Sequence, residues 1–382
     1  MLRLFLLCLL VAAGCVPFGR TAPVVALPPE PGAVAARPGG PGSADSVRYV
    51  VHVSVDGLRP DAVARQPAEA LPAFARLRRE GASTHNARTD PDFRNTLPNH
   101  ASQLTGRPVA GADGHGWTLN VDPAPGATLH ANRGRYVASA FDVAHDAGLR
   151  TAAYVSKSKF SLFDVSYDGA HGAPDVTGRD DGRDKIDTFV YEPDTRALVG
   201  RAVAGLRSDP AAYTFVHLRD PDATGHWWGW SVRTGSRYLR AVRRADAGVG
   251  RILDAVEADP RLRGRTAVVV TADHGGSRRH HVAERPLHYT VPFYVWGPGI
   301  ARADLYALNA GTRAVPGAAN PGPSTFGGGA RQPVRNGDAA NVALRLLGLG
   351  PVPGSTWGAE VPLRVAPTRR AGNPTRSGAA GS

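Results

Sequence analysis

Carboxylate and imidazole side chains are concentrated in three short segments that lie far apart in the chain. Asp56 precedes Gly57, and Asp222 stands four residues before His226. The third segment supplies an adjacent aspartate–histidine pair and two more histidines: Asp273, His274, His280 and His281. A single helical turn or tight loop could aim both Asp222 and His226 at one ion. Oxygen and nitrogen donors without thiolate suit zinc, and they admit manganese or another borderline ion.

Each segment taken alone has an ordinary structural explanation, because an Asp-Gly pair is commonly a turn and an Asp-His pair is commonly a cap. Their positions after apolar runs argue for a shared site. Asp56 follows the run at 48–55, the Asp222 segment follows the run at 213–218, and Asp273 follows the run at 266–271. In an open α/β sheet, ligands bind at the carboxyl ends of the strands. We therefore expect a metal site at that edge.

The elements that must position these residues alternate along the chain. Apolar runs of strand length occupy 48–55, 151–155, 213–218, 266–271 and 291–296. Helical patterns occupy 71–81, 136–147, 194–206, 236–258 and 338–347. Strands that alternate with helices predict an α/β fold with a mostly parallel central sheet and helices on both faces.

One further segment, Asn95 to Gly106, reads NTLPNHASQLTG and resembles a known nucleophile motif. It is similar to the motif of the alkaline phosphatase superfamily, especially its nucleotide pyrophosphatase/phosphodiesterase branch. In that branch a threonine and an apolar residue precede Pro-Asn-His, and the helix that follows ends in Thr-Gly. The order of this motif and the three ligand segments also matches the branch. The resemblance covers about residues 48 to 350 and implies an alkaline-phosphatase-like fold.

The resemblance implies two bound divalent metal ions, expected to be zinc. The first ion would be held by Asp56, Thr96, Asp273 and His274. The second would be held by Asp222, His226 and a later histidine, for which His281 is preferred over His280 and His288. A threonine hydroxyl is a poor nucleophile until a cation stabilises its alkoxide, and two ions can clamp the attacking and leaving oxygens at phosphorus. Thr96 would then form a phospho-threonine that water hydrolyses.

Four more residues are candidates for contacts with the substrate. Asn99 could donate an N–H to a phosphate oxygen, or it could simply cap the helix. Lys157 and Lys159 could neutralise the extra charge of a phosphate monoester, or they could lie on a solvated loop. Trp227, the first of three tryptophans shortly after His226, could stack on a nucleobase or a glycerol moiety, or it could be packing.

The expected activity is metal-dependent hydrolysis of a small-molecule phosphate ester, with a phosphodiesterase or nucleotide pyrophosphatase first. An alkaline-phosphatase-type phosphomonoesterase is the alternative. A sulfatase is disfavoured because that group has a cysteine or serine at the position of Thr96 and an arginine at the position of Asn99. A non-catalytic binding lipoprotein is a further alternative. The net charge of +12 draws anions to a cleft, but no nucleic-acid-binding module is recognised.

The two ends of the chain are predicted to lie outside the folded domain, which spans 47–365. Residues 1–20 are typical of a signal peptide, so the protein is expected to be exported to the periplasm or the extracellular space. The segment before Cys15 resembles a lipobox, which leaves both lipid anchoring at the membrane and ordinary secretion open. Residues 21–46 read as a flexible linker and residues 366–382 as a disordered tail.

Overall fold

The computed structural model describes residues 47–175, 177, 182–323 and 331–366. The predicted signal peptide, Cys15 and the linker lie outside the described residues, as does all of the predicted tail except residue 366. The described strands are β1 Tyr49–Val55, β2 Ala82–Arg88, β3 Thr151–Val155, β4 Thr188–Tyr191, β5 Tyr213–Leu218, β6 Thr266–Thr271, β7 Thr290–Trp296 and β8 Ala303–Asp304.

These strands form one sheet in the order β4-β3-β5-β1-β6-β7-β2-β8. β1 pairs in parallel with both β5 and β6, and β3 pairs in parallel with β4 and β5. β7 is antiparallel to its neighbours β6 and β2. The expected α/β fold with a mostly parallel sheet is therefore confirmed. Because β5, β1 and β6 are adjacent and parallel, the residues that follow them meet at one edge.

The longer helices cover both faces of the sheet. The described helices are α1 Pro60–Ala64, α2 Pro72–Glu80, α3 Thr96–Thr105, α4 Leu129–Arg133, α5 Ala140–Asp146, α6 Ser161–Ser166, α7 Thr195–Ser208, α8 Asp220–Trp228, α9 Arg237–Ala258, α10 Pro286–Tyr289, α11 Leu305–Leu308 and α12 Asp338–Leu346. On one side α9 packs against α2, α7 and α8, and on the other α12 packs against α3, α5 and the strands β1 and β6. Every residue of β5 and β6 is buried between these layers. None of the described helices has the length and apolar character needed to cross a bilayer.

Helix boundaries follow from local capping. α9 begins after Ser236, whose side chain accepts a hydrogen bond from the backbone N–H of Leu239. The helix expected at 136–147 is shorter than predicted, because Ser139 and Asp142 form a capping box that starts α5 at Ala140. The strand β2 was missed, because its sequence ASTHNAR has no apolar alternation.

Candidate active site

The predicted ligand residues converge at the carboxyl edge of the three central strands. Asp56 follows β1, Asp222 and His226 lie in α8 after β5, and Asp273 and His274 follow β6. Gly57 makes the close approach possible: its φ is +70°, and a Cβ there would lie 2.9 Å from the Cα of Asp222. The backbone N–H of Asp222 donates to the carbonyl of Asp56, which ties α8 to the end of β1.

Two overlapping groups of side chains have ligand atoms close enough to share an ion. The ligand atoms of Asp222, His226 and His281 all lie within 4.8 Å of one another, and so do those of Asp56, Asp222 and His274. An Asp273 Oδ2 oxygen lies 3.1 Å from His274 Nε2. The hydroxyl of Thr96, the first residue of α3, lies 3.4 Å from the same nitrogen. Thr96 therefore adjoins the group that contains Asp56 and His274.

Backbone carbonyls fix the orientation of the imidazole rings in this cluster. His274 Nδ1 donates to the carbonyl of Gly275 at 2.8 Å, and His281 Nδ1 donates to the carbonyl of Arg94 at 2.5 Å. Burial lowers the pKa of both histidines, so both rings are neutral near pH 7. With Nδ1 carrying the proton, the lone pair is on Nε2, which faces the carboxylates. His226 Nδ1 likewise donates to a backbone carbonyl, that of Arg279.

The carboxylate oxygens that face these lone pairs are themselves unpartnered. Asp56 Oδ1, Asp222 Oδ1 and Asp273 Oδ2 are buried and accept no hydrogen bond from a described residue. Oxygen and nitrogen lone pairs that converge in a buried site are unfavourable unless a proton or a cation lies among them. The pKa of Asp273 is raised well above its usual range by burial and by the negative charge of Asp56. The donor set therefore fits divalent cations, and zinc in particular.

Lys157 supplies the one cationic side chain inside this cluster among the described residues. Its Nζ lies 2.6 Å from Asp56 Oδ2, 2.7 Å from Asp222 Oδ2 and 3.5 Å from the Thr96 hydroxyl. Burial opposes its charge, but Asp222 and Asp56 raise the pKa of its ammonium group. The alternative of a solvated loop is therefore wrong for Lys157. Lys159 lies beside the cluster and donates to the backbone and side-chain oxygens of Asn120.

Asn99 is not free to contact a substrate in this structure. It is fully buried, and its amide donates to the carbonyls of Phe93 and Asn95. Its side-chain oxygen accepts from the backbone N–H of Asp90. Both amide donors are thus used to hold the loop that precedes α3. This geometry does not support the predicted contact between Asn99 and a phosphate oxygen. The side chain of Asn99 instead bonds to the backbone near the start of the helix, as in the capping alternative.

Three residues near the reacting groups were missed at the sequence level. His217 Nε2 donates to Asp56 Oδ2 at 2.9 Å, and His100 Nδ1 donates to the carbonyl of Thr96 at 2.7 Å. Asn120 Oδ1 accepts from the backbone N–H of Leu97 at 3.0 Å. The signal for His217 was an imidazole near the end of a buried and mostly apolar strand. Asn120 lies in an irregular segment, where no periodicity marks it.

The remaining candidates fall into different environments. His288 is buried, and its two ring nitrogens bond to Ser277 and Ala283, so it faces away from the ligand group. Of the three candidate histidines, only His281 lies in the cluster.

Trp227 is 75% exposed, which excludes packing in the core for this side chain. Trp230 is buried, and its indole N–H donates to the carbonyl of Gly57.

Trp230 packs against the segments that carry the ligands, and its fit there can be tested. A Cβ added to Gly276, two residues after His274, would lie 2.4 Å from the Trp230 ring. Gly276→Ala should therefore lower the free energy of unfolding by about 1–3 kcal/mol through overpacking, and should weaken zinc binding by shifting the ligand loop. Urea unfolding and zinc titration measure the two effects. Gly311→Ala is the control, because no atom lies within 4 Å of its added Cβ; equal behaviour of the two variants would contradict the prediction.

The mostly parallel α/β sheet is a fold that this chain shares with a solved protein of the alkaline phosphatase superfamily, and its edge carries a carboxylate–imidazole cluster beside a helix-initial threonine. Residues 50–288 match the family described as Type I phosphodiesterase / nucleotide pyrophosphatase. This match covers more than half of the 382 residues, and the chain belongs to that family. The description of this family names phosphodiesterase and nucleotide pyrophosphatase activities, and metal dependence is a property of the family.

Individual proteins are similar to this chain over different extents. GPI ethanolamine phosphate transferase 1 from Neurospora crassa is 35% identical over 125 residues, which is 32% of this chain and 12% of that protein. The match thus spans about an eighth of that longer relative. Murine ectonucleotide pyrophosphatase / phosphodiesterase 5, solved as an inactive form in complex with AMP, has 15% identity and a TM-score of 0.51, covering 80% of this chain and 96% of that chain. A Vibrio parahaemolyticus protein of the alkaline phosphatase superfamily has 14% identity and a TM-score of 0.52, covering 81% and 68%. At these identities the solved structures establish the fold.

Proposed function

We propose that this protein hydrolyses phosphate diesters, including nucleotide-type substrates, through a phospho-threonine intermediate on Thr96. The observation that carries the proposal is the position of the Thr96 hydroxyl. It lies at the buried start of α3, 3.4 Å from His274 Nε2 and 3.5 Å from Lys157 Nζ. A hydroxyl held among a cation, an imidazole and unpartnered carboxylates is placed to lose its proton and attack phosphorus. Family membership and the AMP complex of the structural neighbour support the substrate class.

Two groups of residues would hold the two divalent metal ions, expected to be zinc. The first group is Asp56, Thr96, Asp273 and His274, and the second is Asp222, His226 and His281. When bound, these cations would supply the positive charge that stabilises the threonine alkoxide and the leaving oxygen. The backbone carbonyls that fix Nδ1 of the three histidines keep Nε2 directed into the cluster.

The residues of the chain then have distinct tasks. Thr96 Oγ1 would bond to phosphorus while the bond from phosphorus to the leaving alcohol oxygen breaks. His100 holds the Thr96 carbonyl, and Asn120 holds the next backbone N–H, so the start of α3 is fixed from two sides. The N-terminal end of α3 directs its partial positive charge toward the transferred group. Attack by water on the phospho-threonine would release a monoester and restore the hydroxyl.

Phosphomonoester hydrolysis is the second candidate, and the two lysines after β3 favour it. A monoester carries one more negative charge on the transferred group than a diester, so it gains more from nearby cations. Lys157 contacts the Thr96 hydroxyl, and Lys159 is held beside it by Asn120. The wild-type ratio of kcat/KM for p-nitrophenyl phosphate and bis-p-nitrophenyl phosphate decides between the two esters. Turnover of neither substrate, with or without added zinc, would reject the enzyme proposal and favour the non-catalytic alternative.

Lys159 can be tested as a determinant of ester type. Lys159→Met is expected to lower kcat/KM for the monoester roughly tenfold more than for the diester, because the extra charge of the monoester loses its partner. Lys159→Arg keeps the charge and serves as the control, so it should retain most of the wild-type ratio. An equal loss on both substrates would instead make Lys159 a residue that only positions Asn120.

A further inference from the structure

Most exposed large apolar side chains in the described residues lie in segments next to the candidate site. Nine such residues are exposed in the described part of the chain, and three of them (Tyr191, Val315 and Val361) lie in segments without site residues. The other six form what we call the apolar rim: Leu119, Val121, Trp227, Trp228, Val282 and Leu287. Leu119 and Val121 flank Asn120, Trp227 and Trp228 follow His226, and Val282 follows His281. Leu287 lies against the residue after His274, because a Cβ added to Gly275 would be 2.1 Å from its carbonyl oxygen. Exposed apolar patches beside a site mark an interaction surface.

Hydrogen bonds connect the separate parts of the apolar rim. His226, which precedes Trp227, donates to the carbonyl of Arg279. The side chain of Arg94 donates to the carbonyl of Val282 at 3.1 Å. Leu97 lies three residues after Arg94, and its backbone N–H donates to the side-chain oxygen of Asn120. Asn120 lies between Leu119 and Val121 in the chain. These hydrogen bonds therefore tie the segments that carry Trp227, Val282 and the pair Leu119 and Val121 to the segments of the cluster.

Positive charge accompanies the apolar rim. Arg237 places its guanidinium over the ring of Trp228, and Arg278, Arg279 and Arg285 are exposed in the loop that carries His281 and Val282. The exposed acidic residues in these segments are Asp92, Asp122 and Glu284. Together with Arg233, five exposed arginines face three acidic residues, so basic groups are in surplus. Arginine beside tryptophan suits a surface with anionic headgroups above acyl chains, because the guanidinium binds phosphate while the indole lies at the headgroup level.

We propose that the apolar rim docks this protein on an anionic lipid membrane, with the candidate active site opening toward the bilayer surface. The exposed tryptophans and aliphatic side chains would enter the boundary between headgroups and acyl chains, and the arginines would bind the headgroup phosphates. This inference does not depend on the phosphoesterase proposal, because docking is measured without turnover. A basic surface for nucleic acid would not require exposed aliphatic residues at Leu119, Val121 and Val282.

Tryptophan fluorescence of the full chain tests the docking directly. Trp227 and Trp228 are 75% and 57% exposed, whereas Trp117, Trp230 and Trp357 are buried. Vesicles of phosphatidylcholine with phosphatidylserine should shift the emission to shorter wavelength, and brominated acyl chains should quench it. Phosphatidylcholine alone should give much weaker binding, because it lacks the anionic headgroup. The quenching reports contact at the rim itself, so attachment through the N-terminal residues alone would leave it unchanged.

Variants separate the rim from any other route to the membrane. Trp227→Ala/Trp228→Ala should lower the vesicle partition coefficient by roughly tenfold or more. Arg278→Gln/Arg279→Gln should reduce binding to anionic vesicles and make the remainder less sensitive to salt. Val315→Ala, at an exposed valine outside the rim, should bind as the wild type does. Absence of lipid quenching in the wild type, or equal partitioning of the tryptophan variant and Val315→Ala, would overturn the proposal.

Discussion

Replacing Thr96 with alanine is expected to reduce the hydrolysis of bis-p-nitrophenyl phosphate by at least about a thousandfold. The hydroxyl is the atom proposed to bond to phosphorus, and no other described hydroxyl is placed in the same way between His274 and Lys157. Without it, the carboxylate and imidazole ligands remain, but no side-chain oxygen is left there to accept the phosphoryl group. The kcat/KM of wild type and variant, measured on the diester and the monoester, gives the loss.

The variant must fold for this loss to be informative. Thr96 is almost fully buried, so thermal unfolding and zinc binding have to be compared alongside activity. Thr105→Ala is a matched control, because it removes a buried hydroxyl at the other end of the same helix, where Oγ1 donates to the carbonyl of Ala101. Thr105→Ala should retain most of the activity. If Thr96→Ala and Thr105→Ala had comparable rates, Thr96 would not be the nucleophile.

The central strands could be predicted from sequence because their burial on both faces leaves a simple signal. β5 and β6 are runs of mostly apolar residues with no exposed position, and both were predicted with the observed bounds. The ligand edge followed from the same signal, because carboxylates and histidines come directly after β1, β5 and β6. The parallel arrangement then places Asp56 near Asp273 without any knowledge of side-chain contacts.

Features that depend on long-range contacts could not be predicted in this way. β2 lies near the edge of the sheet and pairs with β7 and β8, so its polar sequence carries little apolar signal. The sequence leaves open whether Asn99 contacts a substrate or holds the backbone, and only its bonds to the carbonyls of Phe93 and Asn95 decide between the two. The buried position of Lys157 also depends on the carboxylates of Asp56 and Asp222, which lie at least 65 residues away along the chain.

The position of Lys157 leads to the second large effect, on stability rather than on turnover. Its ammonium lies between Asp56 and Asp222, so it neutralises buried carboxylates in the metal-free protein. Removing one partner of a buried ion pair leaves an uncompensated charge and costs about 3–5 kcal/mol. Lys157→Met should therefore lower the free energy of unfolding by about 3 kcal/mol in the presence of a chelator. Urea unfolding at neutral pH measures the difference.

Zinc should reverse most of this loss, because divalent cations replace the missing charge among the same oxygens. A ligand that binds only the folded state stabilises it in proportion to its affinity, so zinc should raise the stability of Lys157→Met more than that of the wild type. Arg313→Met is the matched control, since Arg313 forms a buried ion pair with Asp338 away from the ligand groups. That variant should lose stability but keep the wild-type response to zinc. An equal zinc response in the Lys157 and Arg313 variants would show that the ammonium and the metal ions do not compete for the same carboxylates.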